Sequence, residues 1–273
     1  CTLVGVWHVV HTGKPGDFTV TAEDLQGFLD EINTAYPPLH LGLEDISNWM
    51  AGLVLFGEHQ KGEEDLSYGH RSQIIDHAAE NRIEGLVTLI GVRYTTARGM
   101  AERAVNLVYK KLGLSPVKCR TSVTPVHGGQ IESFDGLLIQ AIRQRPQNLD
   151  EQSLPALVHH HGTAYEQVLA HLSADPGLAE TIPGSHVIRA EVVHAVRDEM
   201  ALKLADVVFR RTDLGQAGYP GVEALQACAE LMAAELGWSG ERVRQEVGEV
   251  SASYPSFLHP ARELQGAASE QWA

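Results

Sequence analysis

Cysteine is scarce in this chain of 273 residues: only Cys1, Cys119 and Cys228 occur, and no CxxC spacing is present. Three such residues cannot build a disulfide framework, so a reducing compartment is the default expectation. Basic residues are in the minority, 21 Lys and Arg against 35 Asp and Glu, for a net charge of −14. That balance excludes a general nucleic-acid binder, whose phosphate contacts need Lys and Arg. No run of eighteen apolar residues could span a bilayer, and no signal-peptide pattern is present. Neither GxGxxG nor GxxxxGK[ST] occurs, and there is no GxSxG elbow, so no complete dinucleotide site, P-loop or serine-hydrolase site is encoded here. What remains, 44% hydrophobic residues with 26 Gly and 12 Pro, reads as a globular chain of one large or two modest domains. It begins Cys1-Thr-Leu-Val-Gly, without an initiator Met and already inside an apolar run, which suggests a piece of a longer product.

Along the chain, Leu3 to Val10 is Val-rich and loosely alternating, the pattern of a strand. Thr21 is positioned to cap a helix with Leu25, Phe28, Leu29 and Ile32 at helical spacing, stopped by Pro37-Pro38. Trp49 to Phe56, Ser67 to Asp76 and Gly85 to Ile90 read as further strands, the last apolar enough to be central. Gly57 to Asp65 reads as a polar connection. Then a buried strand runs into Gly91, a Thr95-Thr96 pair and a helix closed by Lys110-Lys111 and Gly113. After about residue 131 every periodic segment is helical: 154–161, 164–172, a long helix over 186–211, 221–236 and 240–254. The expected fold class is α+β, an antiparallel sheet plus a terminal strand and helix, followed by an all-helical part. The expected divisions are residues 1–118, 119–254 and a tail, 255–273.

The strand–Gly–Thr–Thr–helix junction has the physics of a receptor for a polar or anionic group. The first turn of a helix leaves amide N–H groups unpaired and carries partial positive charge, a preceding glycine permits close approach, and Arg93 adds a full charge. A simple helix cap with a solvated Arg93 accounts for the same residues. His159-His160-His161 invites a metal reading, but three consecutive helical positions point in different directions, and no carboxylate or Cys at ligand spacing sits nearby. The tract is therefore expected to be a polar helix end without metal. His194, Arg197, Asp198 and Glu199 read as surface partners three or four residues apart, and Arg210-Arg211 as a basic helix end.

Several segments, taken in order, resemble the second half of FAD-dependent glycerol-3-phosphate dehydrogenases. Leu3-Val4-Gly5 with Gly13-Lys14-Pro15-Gly16-Asp17 resembles that family's Ile-Gly-Thr-Thr-Asp strand and Gly-Asp-Pro turn. Glu44-Asp45-Ile46 and Ala51-Gly52-Leu53 resemble its Asp-Ile turn and the start of its Ala-Gly-Leu-Arg-Pro-Leu strand. The most specific match is Gly91-Val92-Arg93-Tyr94-Thr95-Thr96-Ala97-Arg98 with Met100-Ala101, which resembles Gly-Gly-Lys-Tyr-Thr-Thr-x-Arg-x-Met-Ala. Arg189 to Met200 and Arg210-Arg211-Thr212 look like the family's C-terminal helical cap.

The resemblance implies oxidation of glycerol 3-phosphate to dihydroxyacetone phosphate by hydride transfer to FAD, with a quinone or oxygen as the electron acceptor. It implies that Gly91, Val92, Arg93, Tyr94 and Thr95 touch the flavin, that Arg71 and Arg93 hold the substrate, and that Arg93 sits at the reacting centre. It implies a cytoplasmic protein without nucleic-acid partners, and leaves a homodimer and a peripheral contact with the inner face of a membrane open. The departures are specific. Val54 stands at the family's arginine, Val92-Arg93 at its Gly-Lys, and Val6-Trp7-His8 at its Thr-Thr-Asp. Losing one charge-assisted contact to a phosphate in a dry site costs on the order of 2–5 kcal/mol. Two further readings therefore stand: a non-catalytic interaction module of the same fold, and a flavoenzyme for a substrate without phosphate.

Overall fold

The computed structural model describes residues 2–11, 13–54, 72–91 and 93–254. Two compact units emerge, one gathering Thr2–Phe28 with Met50–Thr124, the other Leu29–Trp49 with Pro125–Ala273. The first helix, α1 (Ala22–Ala35), opens on the expected cap: the Asp24 amide donates to Thr21 Oγ1 (3.1 Å) and the Thr21 amide to Asp24 Oδ2 (2.8 Å). This reciprocal arrangement satisfies two amides that a helix start leaves open. A 3₁₀ turn at Pro37–Leu39 follows the helix.

The first unit holds a two-stranded antiparallel sheet. β1 (Gln73–Asp76) pairs with β2 (Val87–Ile90) in the register Gln73↔Ile90 through Asp76↔Val87. Between them lies the short α2 (His77–Asn81), whose N-cap Asp76 accepts from the Ala78 amide. β2 runs through Gly91 and a 3₁₀ turn, Tyr94–Thr96, into α3 (Ala97–Lys111). α3 ends as the Lys-Lys-x-Gly signature predicts: Gly113 adopts a left-handed φ of 70°, and the Leu114 amide donates back to the Tyr109 carbonyl. Lys111 Nζ then reaches both oxygens of Asp76 (2.7 and 2.9 Å), tying the last turn of α3 to the end of β1. The Lys111 ammonium holds the Asp76 carboxyl below the usual carboxylate range.

The strand content is smaller than expected. Leu3 to Val10 forms no ladder, nor does the described part of the third segment, Trp49 to Val54. Among the described residues neither stretch has a partner strand, and an isolated strand cannot satisfy its own backbone. Trp7 instead stacks flat on Phe28 of α1, with ring centroids 5.9 Å apart. Leu55, Phe56, the 57–65 connection, 67–71 and the tail after Tyr254 lie outside the described residues. β2 is not central either: among the described residues it pairs with β1 alone, and Leu89 is exposed. On α3 only Met100 and Ala104 are buried, while Ala101, Val105 and Val108 face outward.

The second unit is helical, and its core is denser. Its helices are α4 (Phe134–Arg143), α5 (Ser153–His161), α6 (Tyr165–Ala170), α7 (Arg189–Arg197), α8 (Leu204–Asp206, continued by a π-turn at Val207–Arg211), α9 (Val222–Leu236) and α10 (Gly240–Ser253). The expected helix over 186–211 is therefore two. Asp198 closes α7, Met200 turns left-handed (φ 59°), and a new start forms at Lys203. Asp206 Oδ2 accepts the Leu202 and Lys203 amides, and Glu246 of α10 accepts the Leu204 amide. No Gly or Pro marks this break in the sequence; carboxylates that receive the new helix's open amides make it.

Two apolar clusters fill this unit. Leu154, Leu157, Val158, Val168, Ile188 and Val193 lie in one; Leu204, Val207, Leu225, Met232 and Val250 lie in the other. α7 serves both, sending Ala190 and Val193 to the first and Val192 and Ala195 to the second. Cys228 is sunk in the second cluster, and burial pushes its thiol up to about 12, so it is an inert core residue.

One backbone crossing fixes the end of α5. Gly128 (φ 74°) and Gly162 (φ 56°) meet so closely that a Cβ on Gly162 would lie 2.2 Å from the Gly128 carbonyl oxygen. That same carbonyl accepts the Thr163 amide at 3.0 Å. Gly162→Ala should destabilise the chain by about 3 kcal/mol or more, combining strain with overpacking. A urea midpoint unchanged from the wild type would contradict this geometry.

Candidate functional site

At the sequence-predicted junction, β2 delivers the chain to Gly91, which is exposed, and a Cβ built there meets nothing within 4 Å. Arg93 precedes the 3₁₀ turn in extended conformation; its side chain is exposed, and its carbonyl accepts both the Thr96 amide (3.2 Å) and Thr96 Oγ1 (3.1 Å). Tyr94 is fully exposed, and Thr95 is exposed beside it. The amides of Tyr94 and Thr95 open the turn, the position at which a helix has no carbonyl of its own to offer. The junction is thus an open helix start with a cation next to it, not one plugged by side chains. Val92 and Arg71 lie outside the described residues, so the structure brings together Gly91, Arg93, Tyr94 and Thr95 only. Val54, at the family's arginine position, is exposed.

A second constellation, in the helical unit, departs from the sequence reading. The His tract at the end of α5 does not simply point to solvent. His159 packs on Phe134, with ring centroids 4.6 Å apart, while His160 and His161 both turn to Glu191 of α7. His161 Nε2 lies 3.4 Å and His160 Nδ1 3.7 Å from Glu191 Oε2. The other carboxylate oxygen, Oε1, accepts the Ile188 amide at 3.0 Å and so caps α7. Glu191 is buried. Burial alone would push its carboxyl up, but the bonds to His160, His161 and the Ile188 amide together hold it below the usual range. The hydrogen bond to Glu191 in turn raises His160.

One turn further along α7, His194 is also buried rather than a surface residue. Its Nδ1 is 3.0 Å from Asp198 Oδ2, and His171, from the 3₁₀ turn after α6, brings its Nε2 to 3.1 Å from the same oxygen. Burial lowers the His194 pKa. The i,i+4 spacing of His194 and Asp198 was the sequence signal for this grouping. What the sequence could not supply was the partner from another element, His171 here and Glu191 for the tract. Arg210 and Arg211 are paired as expected of a basic helix end, to Asp206 and to Glu199.

The comparisons with known proteins address both units. Residues 119–243 match the family described as the C-terminal domain of alpha-glycerophosphate oxidase. A glycerol-3-phosphate dehydrogenase of Synechocystis is 26% identical over 247 residues, covering 90% of this chain and 44% of the relative. That of Mycobacterium leprae is 31% identical over 245 residues, covering 85% and 39%. The aerobic glycerol-3-phosphate dehydrogenase of Bacillus subtilis is 26% identical over 221 residues, covering 77% and 38%. The crystal structure of the glycerol-3-phosphate dehydrogenase from Bacillus halodurans, complexed with FAD, superposes with a TM-score of 0.68 at 22% identity over 89% of this chain and 46% of that one. The fold is accordingly the α+β arrangement of a dehydrogenase's C-terminal region. The chain is similar to glycerol-3-phosphate dehydrogenases along most of its length and spans less than half the length of these relatives. Among the described residues no helix is long and apolar enough to cross a membrane.

Glu191 caps α7 and gathers two histidines of the tract. Glu191→Ala strips the Ile188 amide of its acceptor and leaves the two imidazoles unpaired, at an expected cost of about 3–5 kcal/mol. Glu191→Gln keeps an acceptor for the amide and should cost clearly less. Equal urea midpoints for the two variants would refute the capping role.

Proposed function

We propose that this chain supplies the C-terminal portion of an FAD-dependent glycerol-3-phosphate dehydrogenase. In this reading residues 1–118 contribute substrate-domain sheet and the last strand and helix of the flavin domain, and residues 119–254 the helical cap. The observation that carries it is the open helix start after β2, at the Gly-x-Arg-Tyr-Thr-Thr segment.

The described residues suit one edge of a flavin ring. The open space beside Gly91 admits a flat group against the backbone. The amides at Tyr94 and Thr95, with the positive end of the helix, favour the negative charge that the ring's pyrimidine edge takes up on reduction. FAD, when bound, would accept the hydride from the secondary alcohol and pass the electrons to a quinone or to oxygen. Arg93 would place a cation by the reacting carbon and the substrate phosphate, and Arg71 would clamp that phosphate with a planar fork. Arg93 is bulkier than the lysine it replaces and forks rather than pointing a single ammonium, so it orients the phosphate more strictly. The sequence holds no dinucleotide fingerprint. The ADP and pyrophosphate contacts would therefore come from a flavin-binding half, and the 273-residue chain alone should lose FAD on gel filtration. Stoichiometric retention would contradict this division of labour.

Activity is tested by joining the chain to the remaining N-terminal portion of the Mycobacterium leprae relative and assaying glycerol 3-phosphate with an artificial electron acceptor. Turnover is expected, and Arg93→Met in the hybrid should lower kcat/KM by about 100-fold or more, equivalent to ~3 kcal/mol of lost transition-state binding. Flavin binding without turnover on glycerol 3-phosphate would overturn the dehydrogenase reading. Val54 in place of an arginine would then point to a non-catalytic module, or, if an unphosphorylated hydroxy acid is oxidised, to an altered substrate.

A further inference from the structure

The geometry points to a divalent transition-metal site in the helical unit, formed by His171 Nε2, His194 Nδ1 and Asp198 Oδ2. The three atoms make a compact triangle with edges of 3.0 Å (His194–Asp198), 3.1 Å (His171–Asp198) and 3.4 Å (His171–His194). Nitrogen and oxygen ligands at about 2.0–2.1 Å in tetrahedral array stand roughly 3.3 Å apart, so this triangle is close to one face of a zinc coordination sphere. Two imidazoles and one carboxylate form a donor set for a borderline cation such as Zn²⁺, not for Ca²⁺ or Mg²⁺, which take oxygen ligands.

The ligands come from two elements whose positions are already fixed. His194 and Asp198 are one helical turn apart at the end of α7, a helix held by both apolar clusters, and His171 enters from the turn that follows α6. Both imidazoles are largely buried, with side chains 5% (His194) and 15% (His171) exposed, whereas Asp198 is 52% exposed. The triangle therefore has an open side, suited to a fourth ligand from water.

Glu191 accepts the Ile188 amide and faces His161, while Glu199, 3.8 Å from Arg211, also approaches His194 together with His161. His161, edge-on to His194 at 5.8 Å between centroids, helps fix the His194 ring plane. The chain's net charge of −14 favours cation arrival. A bound ion would pin the α6 turn to the end of α7, directly before the left-handed Met200 where the chain breaks toward α8.

The test uses the untagged 273-residue chain, stripped with chelator and titrated with Co²⁺ by visible absorption and with Zn²⁺ by calorimetry. One equivalent should bind, with a tetrahedral cobalt spectrum and a higher Tm in the presence of zinc. His171→Ala and Asp198→Asn should each weaken binding by about tenfold or more. Asp198 is exposed enough that its variant should fold as the wild type, which far-UV circular dichroism checks, and His160→Asn should bind normally. The proposal is overturned if no zinc binds above the level of the His171→Ala/Asp198→Asn double variant. It is equally overturned if binding survives those changes and is lost with His160→Asn.

Discussion

Helix α7 is enclosed on nearly every side, with one flank in each apolar cluster, and that enclosure governs the rest of the helical unit. A helix at a surface can leave its first amides and its side-chain charges to water; one in this position has to settle them internally. Glu191 meets the need at the N-terminus by accepting the Ile188 amide with one oxygen and the tract histidines with the other. Asp198 meets it at the C-terminus by gathering His171 and His194. The polar groups of α7 thus reach out to α5 and to the turn after α6, and these contacts fix orientations that apolar packing alone would leave loosely specified. The Gly128–Gly162 crossing belongs to the same scheme, since it sets where α5 ends and hence which of its histidines can turn toward Glu191.

What the sequence disclosed follows from the range of the interactions concerned. The Thr21–Asp24 cap, the Gly113 terminator and the strand–glycine–helix junction depend on residues within five positions of one another, and each stands where the local pattern put it. Most helices of the second unit were legible because their apolar spacing is regular; α4 was not among those read from the sequence. The break at Met200 was not, because it depends on Glu246, more than forty residues away, taking the Leu204 amide. The histidine grouping was missed for the same reason. The i,i+4 pair on α7 was visible and read as superficial, since burial of His194 is a property of its neighbours rather than of its own segment. Leu3 to Val10 failed as a strand because β composition specifies only readiness to pair, and among the described residues no partner lies beside it.

The two units also differ in how much of their apolar surface is covered. In the helical unit the large apolar residues of α7, α8 and α9 are almost all inside. In the first unit Leu3, Val6, Val9, Met50, Leu86, Leu89, Val105 and Leu112 remain exposed. The open helix start at Tyr94 and Thr95 lies in that same unit, as does Val54. Among the described residues, that start offers an exposed amide pair and Arg93, and each exposed contact competes with water. Such contacts gain strength when a second surface excludes solvent, which is what the proposed flavin-holding half would supply. The metal site carries no such dependence: its ligands are held by the two clusters of the helical unit itself, so cation binding and flavin chemistry can succeed or fail separately.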